Sequence, residues 1–244
     1  MIASGVSPPE VSVVIPTLDE AGAIGHLLDD LSTLAPPHEV IVADGGSGDG
    51  TPAVAAARGA RVIEGPRGRG GQLRAGAAAA RAPVLCFLHA DVRLDTAALA
   101  ALEQVVRTRA PGAHAFRLRI DGAGFGFRLI ECGANARSAW CRLPYGDQGL
   151  VVSRAEYEAA GGYPAVPLME DVALVRALGR ITSVRLLPAA VRVSARRWER
   201  DGLIRRTLRN WGLLAAYLAG TSPERLAKRY RAAAEPDKRP NDPD

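Results

Sequence analysis

Leu85-Cys-Phe-Leu-His-Ala-Asp91 is the stretch that decides the fold. Residues 84–88 are apolar without interruption, which is typical of a strand buried on both faces of a parallel sheet. The run ends at His89 and Asp91, so an imidazole and a carboxylate stand at the carboxyl end of a central strand. Ligands of open α/β sheets bind at such ends, so Asp91 is a candidate metal ligand for a phosphate-bearing substrate. The alternative is that Asp91 caps the following helix, because Asp is a favoured N-cap residue.

The segments before this strand alternate between strands and helices. Apolar runs predict strands over residues 11–15, 39–43 and 61–64, and helical spacing or composition predicts helices over 24–34 and 72–82. We also predict a helix after Thr51-Pro52, with Thr51 as N-cap and Pro52 in the first turn. This alternation predicts right-handed βαβ units and a parallel sheet.

The second half changes character. Residues 113–121 alternate between apolar and polar, which predicts a strand with one face in water. Residues 122–133 are rich in glycine, and we expect them to be mobile. Further predicted elements are a helix over 96–108, a strand over 150–153, a short helix from 154, a helix over 169–178, strands over 184–187 and 191–193, a helix over 203–218 and a last helix capped at 221–224.

We predict three parts of the chain: a domain over residues 1–200, amphipathic helices packed on it over 201–231, and a disordered tail over 232–244. Residues 1–10 read as a loose leader. Helix 203–218 carries an apolar stripe with one member every three or four residues, formed by Ile204, Leu208, Trp211, Ala215 and Leu218. The stripe either packs on its own domain or faces a membrane, where Arg205, Arg206 and Arg209 would meet anionic headgroups.

Composition narrows the class of protein. The 244 residues are 48% hydrophobic and 23% charged, which is ordinary for a globular protein, and the net charge is +5. That charge suits anionic substrates or a membrane surface, while the few scattered aromatic residues argue against nucleic acid. The three cysteines show no CxxC spacing, and no leader or long apolar run occurs. We therefore expect reduced thiols and a cytoplasmic protein, at most peripheral to the inner membrane face.

A second polar loop follows the strand over residues 39–43. Its sequence, Asp44-Gly-Gly-Ser-Gly-Asp-Gly-Thr51, is neither a dinucleotide fingerprint nor a Walker loop, and it lacks EF-hand spacing. It offers a carboxylate at a strand end, followed by backbone N–H groups such as that of Gly46. The carboxylate could accept from the imide N–H of a pyrimidine, with Thr17 and Glu20 flanking the same crevice. The alternative is an ordinary Asp-Gly turn.

Taken together, these motifs resemble glycosyltransferase family 2, whose members have the GT-A fold. The matching segments are residues 14–20, 40–51, 68–76, 87–91 and 169–171, in the same order as in the family. Details at residues 145–149 and 194–198 resemble a small bacterial branch labelled arsenosugar-biosynthesis or radical-SAM/selenodomain-associated glycosyltransferases. The resemblance implies an α/β fold, a Rossmann-like and mostly parallel sheet with helices on both faces and a C-terminal helical extension.

The resemblance also implies roles for individual residues. Asp171 would be the catalytic base, with Glu170 beside it, and Asp91 would hold Mg²⁺ or Mn²⁺ against the diphosphate of a nucleotide sugar. The residues implied to bind the nucleotide are Pro16, Thr17, Glu20, Asp44, Gly46, Arg69 and His89. The residues implied to bind the acceptor are Asp147, Gln148, Arg197 and Trp198.

Two positions depart from the family pattern. His89 stands where the DxD motif has its first Asp, and we expect it to contact ribose or to support the loop. Ser194 stands where processive members have Gln, which with the lack of spanning helices argues against processive synthesis. Glu170-Asp171 could also simply open a helix, where acidic residues favour the dipole.

These observations predict an inverting, metal-dependent glycosyltransferase that uses a nucleotide sugar, UDP-linked by preference, and an acceptor hydroxyl. One alternative is a non-catalytic nucleotide-sugar-binding protein, because His89 weakens the metal site. A sugar-phosphate nucleotidyltransferase is a further alternative, but it would need a Gly-rich, Lys-bearing loop after the first strand, where residues 16–20 read Pro-Thr-Leu-Asp-Glu.

Overall fold

The structure is a computed structural model, and it describes residues 7–234. Residues 1–6 of the predicted leader and residues 235–244 of the predicted tail lie outside the described residues. Residues 232–234, which we had assigned to the tail, belong to the last helix. No helix within residues 7–234 combines the length and apolar character needed to cross a bilayer.

The described chain alternates strands and helices through its first half and ends in three helices. The elements in order are β1 (Val11–Thr17), α1 (Ala21–Leu31), β2 (His38–Asp44), α2 (Thr51–Ala57), β3 (Arg61–Glu64), α3 (Arg69–Ala79), β4 (Val84–Phe87), β5 (Val92–Leu94), α4 (Thr96–Thr108), β6 (Ala113–Asp121), α5 (Phe125–Cys141), a 3-10 turn (Gly146–Gln148), β7 (Leu150–Ser153), α6 (Arg154–Ala159), α7 (Glu170–Ile181), β8 (Val184–Ser194), α8 (Arg196–Asp201), α9 (Leu203–Leu218) and α10 (Pro223–Ala234).

One sheet of eight strands, in the order β3-β2-β1-β4-β7-β6-β8-β5, forms the centre of the described residues. The strands β3, β2, β1 and β4 run parallel, as the alternation of strands and helices predicts. Beyond β4 the pattern becomes mixed, because β7 is antiparallel to β4 and β5 is antiparallel to β8. The predicted α/β fold with helices on both faces is confirmed.

The two faces of the sheet are covered by separate apolar clusters. Val13 and Ile15 of β1 pack with α1 and α4 on one face, while Val14 packs with α3 and α7 on the other. Successive side chains of a strand point to opposite faces, so β1 must be apolar throughout to lie between two helical layers. Burial of a side chain such as Ile15 stabilises the fold by roughly 1.5–3 kcal/mol.

The prediction that residues 122–133 are mobile is wrong. The glycine-rich segment leads into α5, a helix of 17 residues that begins after Gly124. Phe127 is buried in the core, and Ile130 and Ala134 pack against the same cluster. These three side chains recur at helical spacing, so their burial outweighs the helix-weakening effect of Gly126 and Gly133.

The two short strands predicted over 184–187 and 191–193 form the single strand β8. It pairs with β6 along its whole length, with a register shift between Ala115 and Arg117. Pro188 lies opposite this shift. Because proline has no N–H to donate, a bulge is one of the few places where a strand accepts it. The predicted gap between the two strands is therefore a bulge within one strand.

Two predicted helix caps also need correction. Gly50, in the left-handed conformation at φ 89°, is the N-cap of α2, while Thr51 is already helical. The Thr51 hydroxyl accepts a hydrogen bond from the backbone N–H of Glu20, which explains why it does not cap its own helix. Asp91 caps no helix either, since β5 follows it and Asp95 caps α4 by accepting from the Ala98 N–H.

Helix α9 presents its apolar stripe to the outside. Leu214 and Arg206 are buried, whereas Ile204, Leu208 and Trp211 are exposed. The interpretation that the stripe packs on its own domain is therefore wrong. The helix is held from the other side, where Arg206 and Arg209 both donate to Asp201, at 2.7 and 3.2 Å. The apolar face stays largely open to solvent, and α5 approaches it from one side.

Candidate functional site

The carboxyl ends of β1 and β2 form one side of the candidate site. Thr17 and Asp44 are register partners, and the Thr17 hydroxyl donates to Asp44 Oδ1 at 2.9 Å. The backbone N–H groups of Gly46 and Ser47 donate to Oδ2 at 3.0 and 2.8 Å, and the Ser47 hydroxyl donates to Oδ1 at 2.5 Å. Burial acts to raise the pKa of Asp44, but these hydrogen bonds outweigh it and lower the pKa. The carboxylate is ionised and already holds four donors.

The loops that follow β1 and β2 are fastened to each other. Asp19 accepts from the Gly48 N–H at 2.9 Å, and its own N–H donates to the Ser47 hydroxyl at 2.9 Å. Asp49 accepts from the Ala21 N–H at 2.9 Å. The two loops therefore behave as one unit, with most of their polar groups engaged before any ligand arrives.

Gln72 is a residue of the functional site that the sequence did not lead us to expect. Its side chain is buried, and its amide nitrogen donates to the carbonyl oxygens of Thr17, at 2.5 Å, and Ala43, at 3.0 Å. Thr17 is the last residue of β1, and Ala43 is the last residue but one of β2. Gly45 and Gly65 leave the space that this side chain occupies, since a Cβ at either would meet Gln72. Its position in the predicted motif over residues 68–76 was the available signal.

Arg69 and Glu170 join the start of α3 to the start of α7. Arg69 Nη1 lies 3.4 Å from Glu170 Oε1, and the Glu170 side chain is 4% exposed while that of Arg69 is 44% exposed. Burial and then the charge of Asp171 raise the pKa of Glu170, and Arg69 opposes them. Gly70 permits this approach, because a Cβ there would lie 2.4 Å from the Pro164 carbonyl oxygen. The buried carboxylate thus positions a guanidinium that stays partly open to solvent.

Asp171 and His89 meet at Gly146. The Gly146 N–H donates to Asp171 Oδ2 at 2.8 Å, and the other oxygen of Asp171 accepts from the Val172 N–H at 2.8 Å. A Cβ at Gly146 would lie 2.8 Å from His89 Nε2, so glycine is required for this close approach. The carboxylate of Asp171 is therefore fixed in orientation by backbone groups.

A cavity of about 440 Å³ opens in front of these residues. It brings together five of the predicted residues: Arg69, His89, Asp147, Glu170 and Asp171. Its wall also includes residues that the sequence reasoning missed, among them Tyr145, Arg206, Asn210, Leu213 and Tyr230. Most of these come from α9 and α10, which no motif connected with the site. Thr17 and Asp44 are the last residues of β1 and β2, and Pro16 precedes Thr17 in β1.

Asp147 is the unusual carboxyl group of the cavity. Burial raises its pKa to about 6, and the charges of Asp171 and Asp91 act in the same direction against that of Arg137. Its Oδ1 atom is buried without a hydrogen-bond partner among the described residues. A buried carboxyl oxygen without a donor, next to two further carboxylates, marks a place where a cation or a donor from a ligand would be favourable.

The other predicted acceptor residues lie differently. Gln148 is fully buried, where it donates to the Phe116 carbonyl oxygen at 3.0 Å and accepts from the Ser138 hydroxyl at 2.6 Å. It holds the 3-10 turn in place and does not face the cavity. Trp198 is buried in the core, with the guanidinium of Arg206 5.2 Å from the ring centroid. Arg197 lies in α8.

Comparison with known families agrees with this architecture. The family described as "Glycosyl transferase family 2" matches residues 12–149, which is more than half of the chain. The chain therefore belongs to glycosyl transferase family 2. One curated relative, glucosyl-3-phosphoglycerate synthase of Mycolicibacterium paratuberculosis, is 37% identical over 93 residues. That match covers 34% of this chain and only 28% of the relative.

Solved structures share the fold. Glucosyl-3-phosphoglycerate synthase of Mycobacterium tuberculosis, in complex with Mn²⁺, UDP and glucosyl-3-phosphoglycerate, is 21% identical with a TM-score of 0.57, and the match covers 83% of this chain and 78% of that one. A mannosyltransferase of Pyrobaculum calidifontis, in complex with GDP-mannose and Mn²⁺, is 18% identical with a TM-score of 0.59, and the match covers 94% and 82%. At these identities the similarity establishes the GT-A fold.

Proposed function

We propose that the protein is an inverting, metal-dependent glycosyltransferase that moves a sugar from a nucleotide sugar to an acceptor hydroxyl. The observation that carries this proposal is the arrangement in the cavity, where Asp171 is oriented by the Gly146 N–H and Arg69 is positioned by the buried Glu170. A fixed carboxylate and a fixed guanidinium facing one space are what proton removal and diphosphate binding require.

Asp171 would act as the base. A carboxylate placed beside an acceptor hydroxyl can take its proton as the oxygen attacks the anomeric carbon. The bond from that carbon to the diphosphate oxygen breaks on the opposite side, which inverts the configuration. Glu170 is the weaker candidate, because it is buried and engaged by Arg69. Its role would be to hold the guanidinium in place.

The nucleotide would lie along the ends of β1 and β2, near Pro16, Thr17, Glu20 and Gly46. Asp44 could accept from the imide N–H of uracil if the Ser47 or Thr17 hydroxyl turned away, since four donors now occupy its two oxygens. UDP in the Mycobacterium tuberculosis complex supports a UDP-sugar as the first donor to test, with a GDP-sugar second because of the Pyrobaculum calidifontis complex.

The carboxyl groups of the cavity fit a hard divalent cation such as Mg²⁺ or Mn²⁺. No group of three or more His, Cys, Asp or Glu side chains within residues 7–234 is arranged to hold a metal by itself. Metals that bind nucleotide phosphates need only one or two carboxylates, because the phosphates supply further ligands. The protein ligand would be Asp91, which follows β4 and does not itself line the cavity, but whose negative charge acts on the cavity residues Arg69 and Asp147. When bound, the metal would neutralise the charge of the leaving diphosphate.

Two further parts of the proposal concern location and branch. The three cysteines are free, with Cys86 buried and the other two exposed, which supports a reducing, cytoplasmic setting. The exposed stripe of α9 supports a peripheral contact with the membrane. We also keep the assignment to the branch labelled arsenosugar-biosynthesis or radical-SAM/selenodomain-associated glycosyltransferases as a proposal. The proposed mechanism does not depend on that assignment.

A panel of nucleoside diphosphates and nucleotide sugars, each with and without Mn²⁺, tests the proposal. We expect UDP and a UDP-sugar to raise the melting temperature, more so with Mn²⁺, and the UDP-sugar to release UDP on incubation. Binding without any release, with or without added acceptors, would favour the non-catalytic alternative. Release of pyrophosphate from a sugar phosphate and UTP would favour the nucleotidyltransferase.

A further inference from the structure

A second cavity, about 400 Å³ in volume, forms an apolar groove between α5 and α9. Its wall is built mainly from leucine, isoleucine, glycine, alanine and tryptophan residues. Four of the large ones remain open to solvent: Leu129, Ile204, Leu208 and Trp211 are 63, 77, 67 and 48% exposed. An exposed apolar surface of this kind is expected at a binding site, because leaving it in water is unfavourable.

The groove adjoins the cavity that contains Asp171, and we call the residues between them the junction. Tyr145, Asp147 and Asn210 line both spaces. Two buried polar atoms in the wall of the groove, Asp147 Oδ1 and Thr207 Oγ1, have no hydrogen-bond partner among the described residues. Buried polar atoms without partners are rare in folded proteins, so a ligand group is expected to reach them. Such a ligand would have a polar end at the junction and an apolar body in the groove.

The charge of the C-terminal helices indicates what kind of surface the ligand comes from. Residues 196–231 contain ten basic and three acidic residues, although the whole chain has a net charge of only +5. Arg205, between the stripe residues of α9, is exposed, and Arg142 ends α5 in an exposed position. Exposed basic residues on the two helices that form the groove complement an anionic lipid surface.

We propose that the acceptor is a lipid drawn from an anionic membrane surface, with its hydrocarbon chain in the groove between α5 and α9 and its hydroxyl at the junction. This inference rests on the proposed function, which supplies the nucleotide sugar. Asp147 and Thr207 would orient the polar end. The acceptor oxygen forms the new bond to the anomeric carbon, its proton passes to Asp171, and the nucleoside diphosphate leaves with the electrons of the broken bond.

Chain-length dependence tests the groove. The probes are n-butyl and n-octyl β-glucoside, used as monomers, and the readout is tryptophan emission, with Trp211→Phe identifying the signal from the groove. We expect the octyl probe to bind at least tenfold more tightly than the butyl probe, because it buries four more methylene groups. Leu208→Glu should weaken binding of the octyl probe at least tenfold. Ile181→Glu, which changes an exposed isoleucine on α7 outside both cavities, should leave it unchanged.

Binding of UDP and Mn²⁺ by the parent and both variants is measured by thermal shift. Light scattering gives the molar mass of each protein and so shows whether it forms a dimer. Equal binding of the two probes, or equal octyl binding by the parent and Leu208→Glu, would overturn the lipid acceptor. A dimer that blocks octyl binding, and that Leu208→Glu dissociates, would also overturn it and make the groove an interface between two copies. Normal octyl binding without any nucleotide shift would count against the proposed function instead.

Discussion

The loops after β1 and β2 and the groove between α5 and α9 differ in how completely their polar groups are satisfied. In the first region Asp44, Asp19 and Asp49 accept hydrogen bonds from neighbouring residues in defined geometry. In the second region Asp147 Oδ1 and Thr207 Oγ1 are buried without partners, and large apolar side chains face outward. The first region is preorganised, whereas the second is incomplete until something binds to it.

The two regions also differ in what holds them together. The strand ends are fixed by the close-packed sheet and by Gln72, whereas α9 is fastened by charge. Hydrogen bonds from Arg200 and Arg206, with the charges of both arginines, lower the pKa of Asp201 to about 2 despite the opposing effect of burial. The guanidinium of Arg209 lies 4.9 Å from the ring centroid of Tyr230. The attachment of α9 therefore depends on two largely buried ion pairs, whereas the strand ends depend on the ladder of the sheet and on neutral hydrogen bonds.

The largest expected effect is on catalysis by Asp171, which lines the cavity between the two regions. Asp171→Asn should lower kcat by about 10² or more, because the amide cannot take the acceptor proton. Nucleotide binding, measured by thermal shift with UDP and Mn²⁺, should persist. Asp121→Asn changes an exposed aspartate that pairs with Arg192 and serves as control. A larger loss for Glu170→Gln than for Asp171→Asn would reverse the assignment of the two carboxylates.

The next effect tests the preorganised region. Gln72→Ala removes the donor to two buried carbonyl groups and leaves a space, which should lower the free energy of unfolding by about 2–3 kcal/mol. Urea denaturation measures this change. Gln104→Ala, at an exposed position of α4, is the matched control and should change the free energy by under about 0.5 kcal/mol. Equal effects of the two substitutions would mean that Gln72 does not hold the strand ends together.

The same contrast explains what the sequence could predict. Strands β1 and β4 were predictable because a strand buried on both faces must be apolar throughout. Strands β3, β6 and β7 have the predicted bounds. Arg69, His89 and Asp171 could be placed because they follow local motifs at strand and helix ends. Helix α5 was missed because its glycines hid the spacing of Phe127, Ile130 and Ala134.

The acceptor side was harder to predict for a physical reason. Arg206, Asn210 and Tyr230 line the cavity through the tertiary packing of α9 and α10, and no local spacing encodes that contact. The outward direction of the α9 stripe was equally hidden. An amphipathic pattern shows that one face is apolar, but not whether protein or another phase covers it.

A smaller effect sharpens the contrast at Asp147. Its pKa of about 6 lies above the value of 3.8 for an unperturbed group, so the folded state binds more protons between these pH values. Stability from this group is therefore present at low pH and is lost as the pH rises through about 6. Asp147→Asn cannot ionise, and without ligand it should gain about 1–2 kcal/mol over the parent between pH 4 and pH 7.5. Denaturation at both pH values measures the gain. A constant difference across this range would show that the group is not held protonated.

The smallest expected effect concerns the surface around the groove. Arg206 and Arg209 are engaged by Asp201, so they are not free to meet headgroups as the sequence suggested, and the exposed Arg205 is the better candidate. Vesicles with anionic lipid should sediment the protein at low salt, and Arg205→Ala should weaken that binding about fivefold, since one cation near such a surface contributes about 1 kcal/mol. Arg180→Ala is the matched control, because Arg180 is also exposed. It lies at the end of α7, just before β8, whereas α8 and α9 follow the other end of that strand. Equal weakening by both substitutions would indicate a non-specific effect of net charge, and no binding at low salt would leave the apolar face without a membrane role.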